Sequence, residues 1–169
     1  TVVNHLGDRA SLPNWENVGM LAYYSILRFE KTIPSYTKNA IEQMKEKIIA
    51  IADDYINHVP ASAFTTIMGQ TKYDFSWGGN SVAANQGILL VKAYLLTGNK
   101  KYIDYATTNL DYILGRNATG YCFITGIGSK STMHPHHRQS VADGVTDPVP
   151  GLMAGGPNPG MQDGCHYDF

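Results

Sequence analysis

Two hydrophobic patterns alternate along the first part of the chain. In residues 18–27 (VGMLAYYSIL) apolar side chains fall on nearly every side of a helix, as expected of a helix enclosed by protein all round. In residues 35–58, Ile41, Met44, Ile48, Ile51, Ala52 and Tyr55 recur at three- and four-residue steps, with Lys45, Glu46, Lys47, Asp53 and Asp54 between them. That spacing leaves one face for water. Residues 88–96 are again apolar on almost all faces, and residues 100–114 return to one-sided patterning, with Tyr102, Ile103, Ala106, Leu110 and Ile113 set against Lys100, Lys101, Asp104, Thr107 and Asp111. The patterns predict four helices, over about residues 14–31, 35–58, 80–97 and 100–114. The punctuation agrees: an N-cap at Asn14, Pro60 after the second helix, Gly98-Asn99 after the third and Gly115 after the fourth.

Buried, amphipathic, buried, amphipathic is the order that two concentric rings of helices produce, because inner helices touch protein on every side and outer helices face water. An ordinary four-helix bundle would make all four helices similarly amphipathic. The all-α class, as part of an α/α toroid, follows. Paired helices also leave a solenoid of helical hairpins open, although no sequence repeat at solenoid spacing stands out.

From residue 116 onward the pattern breaks. Residues 121–169 hold four of the six histidines and both cysteines, with little helical period. Loops longer than about 12–15 residues are uncommon in compact domains and are usually functional or disordered. Tyr121, Phe123, Ile124, Ile127, Leu152 and Met161 make this stretch too apolar for a solvated linker, so residues 116–169 read as an ordered site-building loop. Composition adds limits. A net charge of -1 gives no bulk electrostatic reason to expect nucleic acid or an anionic membrane as partner, and no apolar run reaches the length of a membrane span. Cys122 and Cys165 are too few to define a redox compartment; they read either as one bridge or as two buried thiols.

Three runs carry a family likeness: FSWGGNSVAANQGILLVKAYLLTGNKKYIDYA, YILGRNATGYCFITGIGSKSTMHPHHRQS and DPVPGLMAGGPNPGMQDG. Together and in this order they resemble the C-terminal part of glycoside hydrolase family 9 catalytic domains, the inverting cellulases. The likeness covers about residues 14–169 and rests on Gly128-x-Lys130, Pro135-His136-His137-Arg138 and the Pro-Gly-rich tail. It implies an (α/α)6 barrel of six inner and six outer helices, and hydrolysis of β-1,4-glucans by an aspartate base and a glutamate acid. Neither matching carboxylate motif occurs here, and the last glutamate is Glu46. The expectation is therefore a partial catalytic domain, inactive by itself, completed by other segments of the same domain and acting on cellulose or a soluble β-1,4-glucan. The resemblance also implies a secreted, extracellular enzyme that needs no cofactor for its chemistry.

The same resemblance places His136 and Arg138 in the cleft beside the scissile bond, where imidazole and guanidinium donate to sugar hydroxyls. His137, on the opposite side of an extended segment, is expected to look away from the sugar and serve the loop. Trp15, Trp77 and Tyr121 stand near helix starts or in the loop, as stacking platforms for sugar rings or as core residues. Asp143 follows the His-His-Arg element, where the resemblance implies an aspartate ligand of a structural calcium, an ion suited to hard oxygen donors; the alternative is a turn former at Asp143-Gly144. A zinc site drawn from His134, His136, His137, Cys165 and His166 matches no standard spacing and would occupy residues needed for sugar. Two other functions stay open: a non-catalytic carbohydrate-binding or helical scaffold module, and an exo-acting cellobiohydrolase of the same family.

Overall fold

The computed structural model describes residues 11–71 and 74–158. Four main helices, α1 (Gly19–Arg28), α2 (Lys38–His58), α3 (Gly79–Thr97) and α4 (Lys100–Ile113), are followed by a short α5 (Arg138–Ala142). No strand forms among the described residues, where β pairing is limited to two isolated bridges. No helix there is long and apolar enough to cross a membrane.

The first helix starts later than its sequence suggests. Asn14 does not cap it; its Oδ1 accepts from the Glu16 and Asn17 N–H groups, both at 2.8 Å, closing a separate turn. The chain enters α1 only at Gly19, whose N–H donates to Asn17 Oδ1 at 2.9 Å. A short side chain that can bond its own backbone two residues on offers the chain a turn in place of a helix. At the far end of α3, Gly98 takes the left-handed conformation (φ 72°) and returns its N–H to Tyr94 O at 2.7 Å. Asn99 then caps α4 through Lys101 N–H at 3.1 Å. So short a link makes α3 and α4 a hairpin, with the most extensive helix–helix contact in the described structure.

The main core joins Met20 and Tyr23 of α1, Met44 and Ile48 of α2, Leu89 and Leu90 of α3, and Tyr102 of α4. Each fully buried aliphatic side chain there, such as Ile48 or Leu89, contributes about 1.5–3 kcal/mol. A second cluster, Met68, Ala83, Tyr112, Ile113 and Phe123, welds the loop after α4 onto the helices. Tyr112 and Phe123 meet there with ring centroids 5.7 Å apart. Burial, with Asp74 adding, pushes the Tyr112 hydroxyl up to about 12.

The all-round burial expected of α1 and α3 is not reached within this chain. Leu21 of α1 and Ile88 and Leu95 of α3 are exposed. On α4 the buried stripe is rotated from the one the apolar residues suggest: Asn109 is inside and Leu110 is out. Leu110 instead borders, with Ile88 and Ile103, an open apolar groove of about 460 Å³ between α3 and α4. Asn109 goes inside because the second cluster needs its bonds. Its Oδ1 accepts from Ile67 and Met68 N–H at 3.0 and 3.1 Å, and its Nδ2 donates to Ala83 O and Gln86 Oε1 at 3.0 and 2.9 Å. A buried amide with every bond made stiffens the connection between α2 and α3.

Candidate functional site

The loop after α4 is held by side chains that satisfy the backbone where no regular ladder exists. Asn117, buried, donates through Nδ2 to Tyr112 O and Tyr121 O at 2.7 and 2.9 Å, while its Oδ1 accepts from Thr119 and Gly120 N–H, both at 3.0 Å. The chain then runs inward. Phe123 N–H donates to Ile113 O and Ala154 N–H to Phe123 O, both at 2.8 Å. Thr125, fully buried, is the centre of the loop. Its hydroxyl donates to Val149 O at 2.6 Å and accepts from Leu152 N–H at 2.9 Å, while its backbone bonds Leu152 O and Gly151 N–H. Buried polar groups almost always find partners, and Thr125 serves four from one position.

Further along, the loop is pinned to the start of α3. Asn80 N–H donates to Gly155 O at 3.0 Å and Asn80 Nδ2 to Ala154 O at 2.9 Å. Gly156 passes so close, at φ +99°, that a Cβ there would lie 2.6 Å from Asn80 Oδ1. Only glycine fits such an approach. Asn85, five residues on, donates to Pro13 O at 2.8 Å. The N-terminal half of α3 thus gathers the segment before α1, the residues around Trp77 and the loop at residues 154–156.

On this frame His134, His136, His137 and Arg138 line a cleft of about 670 Å³, with Met133 and Val141 as apolar walls. His136 and Arg138 are exposed. His137 turns to the loop: it is the N-cap of α5, its Nδ1 accepting from Ser140 N–H at 3.3 Å. Neither α5 nor this cap is foreshadowed by hydrophobic period, since α5 buries no residue. No Asp or Glu is among the walls of the cleft.

The other residues singled out by sequence lie apart from that cleft, for none of Trp15, Trp77, Tyr121 and Asp143 lines it. Trp15 and Trp77 are 88% and 65% exposed, so neither plugs the core of the described chain. Tyr121 is partly open, with Lys130 Nζ 4.1 Å from the centre of its ring, within cation–π range. Asp143 forms the turn: its Oδ1 accepts from Val145 N–H at 2.9 Å. Its carboxylate has the right chemistry for calcium, but one carboxylate is far from the six to eight oxygens, roughly, that the ion takes. Among the described residues no group of three or more His, Cys, Asp or Glu side chains is placed to hold a metal ion. Among the described residues Cys122 is a buried thiol without a disulfide partner; Cys165 lies outside them, as do Met161 and His166.

Thr125, Asn117, Asn109 and Ser140 are the residues that sequence reasoning missed. Asn109 left a trace, a polar residue at helical spacing from Tyr102, Ala106 and Ile113. Thr125 left none, because its partners are backbone groups of segments that only the fold brings near. Asn117 bonds only within five residues of itself, so its trace was the turn chemistry of Asn117-Ala118-Thr119-Gly120, and Ser140 marks the third position after the His137 cap.

Comparison with known proteins places this arrangement. The family model described as Glycosyl hydrolase family 9 matches residues 4–169. A xyloglucan-specific endo-beta-1,4-glucanase from Bacteroides ovatus is 41% identical over 156 residues, which cover 92% of this chain and 27% of that protein. Endoglucanase D from Acetivibrio thermocellus is 29% identical over 150 residues, 89% of this chain and 23% of its own length. Among solved structures, a Bacteroides ovatus GH9 protein superposes with a TM-score of 0.83 at 39% identity, over 88% of this chain and 27% of that one. These structures are (α/α)6 barrels, and the expected fold, part of such a barrel, is the one observed. The chain therefore spans about a quarter of the length of these relatives.

Proposed function

Because this chain belongs to glycosyl hydrolase family 9, we propose that it is part of an inverting glycoside hydrolase that cleaves internal β-1,4-glucosidic bonds of cellulose or a soluble β-glucan. Its share of the work is the sugar-binding wall. The observation that carries this reading is the cleft in which His136 and Arg138 stand side by side and exposed, with no carboxylate among its walls. Both side chains donate hydrogen bonds to hydroxyl oxygens, Arg138 with a permanent charge. Neither replaces the general acid and general base that inversion requires, two carboxyl groups about 6.5–9.5 Å apart. Those carboxylates come from other segments of the same catalytic domain. Such segments also cover the apolar groove beside Ile88, Ile103 and Leu110.

In this reading Arg138 and His136 hold the sugar at the central subsite and strengthen their bonds as the ring becomes oxocarbenium-like, while Trp15, Trp77 and Tyr121 supply stacking faces for neighbouring sugars. Cellulose cannot enter a cell intact, which favours a secreted enzyme. Calcium enters only as a stabiliser near Asp143, with its remaining ligands from backbone carbonyls or from beyond this chain. Chelation should then lower the thermal midpoint of the full-length polypeptide, and an unchanged midpoint removes calcium from the proposal.

The deciding experiment treats soluble β-1,4-glucan and xyloglucan with the full-length natural polypeptide and follows the anomeric configuration of the first product. An inverted, α-configured product is expected. A β-configured product, or no cleavage of either polymer, overturns the reading. The 169-residue chain alone should release no reducing sugar.

A further inference from the structure

His137 lies between two exposed residues yet is bound inward. Ser140 N–H can only donate, so His137 Nδ1, 3.3 Å away, accepts, and the proton of the neutral ring is on Nε2. The Ser140 hydroxyl accepts from Val149 N–H at 3.1 Å. Its own hydrogen is thereby free for His137 Nδ1, 2.9 Å from Ser140 Oγ. Val149 in turn receives the Thr125 hydroxyl on its carbonyl, at 2.6 Å. A continuous path thus runs from the imidazole through Ser140 and Val149 to Thr125, the buried centre of the loop.

We propose that His137 and Ser140 are positioning residues, whose contact anchors the turn carrying His136 and Arg138 to the Thr125 scaffold and so fixes the direction in which both enter the cleft. The proposal rests on the reading of His136 and Arg138 as sugar-binding groups. The geometry suits the task. His137 has extended backbone (φ -136°, ψ 106°), whereas Arg138 is the first residue of α5. The chain changes direction at the residue whose side chain is tied down. With α5 burying nothing, no apolar contact of the helix could hold that direction instead.

The test uses the full-length polypeptide with Ser140→Ala, Ser140→Thr, His137→Ala and His137→Asn, read by kinetics on soluble β-glucan, by thermal midpoint and by ¹⁵N imidazole spectra. Ser140→Ala should lower kcat/KM roughly tenfold, as expected of displaced binding groups, with a midpoint close to wild type. Ser140→Thr, which keeps the hydroxyl, should recover most of the loss. His137→Asn, which keeps an N-cap acceptor, should outperform His137→Ala. In the wild type, His137 should show the Nε2–H form, and Ser140→Ala should shift it toward a mixture. Unchanged kinetics in Ser140→Ala, failure of Ser140→Thr to recover, or an Nδ1–H form in the wild type would each overturn the proposal. If Ser140→Ala does not fold, the two His137 variants and the wild-type spectrum decide. A wild type that cleaves no β-glucan counts against the reading of the site, and the imidazole spectrum, which needs no sugar, then judges the anchor separately.

Discussion

The four main helices and the loop from residue 116 to 158 are held together in different ways. In the helices, Met20, Ile48, Leu89 and Leu90 are fully buried, and burial of apolar surface is the main stabilising term. In the loop, order comes from Asn117, Thr125 and Ser140, each bonding backbone that would otherwise lose its partners. Apolar packing tolerates small shifts because it has no direction. A hydrogen-bonded loop holds its side chains in fixed directions, which is what a sugar-binding wall needs, and it does so with few buried apolar groups. The second cluster, where Phe123 meets Tyr112, is where the two regimes join.

That contrast can be broken or sharpened by substitution. The largest effect should come from the helical side: Leu89→Ala removes a fully buried side chain and should cost about 2–5 kcal/mol of global stability, seen as a lower denaturant midpoint for helical circular dichroism. Next, in the full-length polypeptide, Arg138→Ala should remove a charge-assisted bond of about 1.5–3 kcal/mol and slow hydrolysis roughly ten- to a hundredfold. His136→Ala should fall in the same range and His137→Ala should do less. A His137→Ala that is the most damaged of the three, with His136→Ala near wild type, would show that the wrong residue has been given the sugar contact.

Thr125→Val keeps shape but strands Val149 O and Leu152 N–H, at about 1–3 kcal/mol. If the regimes are separate, hydrogen exchange should quicken at Gly151 and Leu152 and stay slow at Leu89 and Leu90. Equal acceleration at both would merge them into one cooperative unit. The smallest effect belongs to the helix surface. Lys101 holds the Asp53 carboxyl below its ordinary range, with burial opposing and the Tyr102 hydroxyl assisting. A depressed carboxylate contributes stability above its unfolded pKa, near 3.9, and loses it as pH falls through the lower folded value. Asp53→Asn should thus cost less than about 1 kcal/mol at neutral pH, since the pair is partly exposed. The difference from wild type should vanish on acidification below the folded value, as read from urea midpoints at the two pH values.

The helices were legible because their signal is local. A three- and four-residue recurrence from Ile41 to Tyr55 means the same thing wherever the chain goes, and Gly98-Asn99 ends one helix and starts the next from its own dihedral and side-chain preferences. Helix ends are less legible where a local competitor exists, as Asn14 and Asn17 show before α1. For the site, residue types and order were enough to single out His136, Arg138, the two tryptophans, Tyr121 and Asp143. They were not enough to say which of these share a cleft.

By itself, then, the sequence determined the all-α class, the four main helices and the stretch in which the unusual chemistry lies, because each depends on residues close together in the chain. Only the tertiary structure decided that Asn109 faces inward in place of Leu110, that Thr125 organises the loop, and that His137 is bound to Ser140 while His136 and Arg138 stand open. The first two depend on backbone groups far apart in sequence, such as Thr125 and Val149 or Asn109 and Ile67, and the third on a helix that buries no residue and so leaves no hydrophobic period. A polar side chain carries no mark of the distant carbonyl or N–H that it will meet.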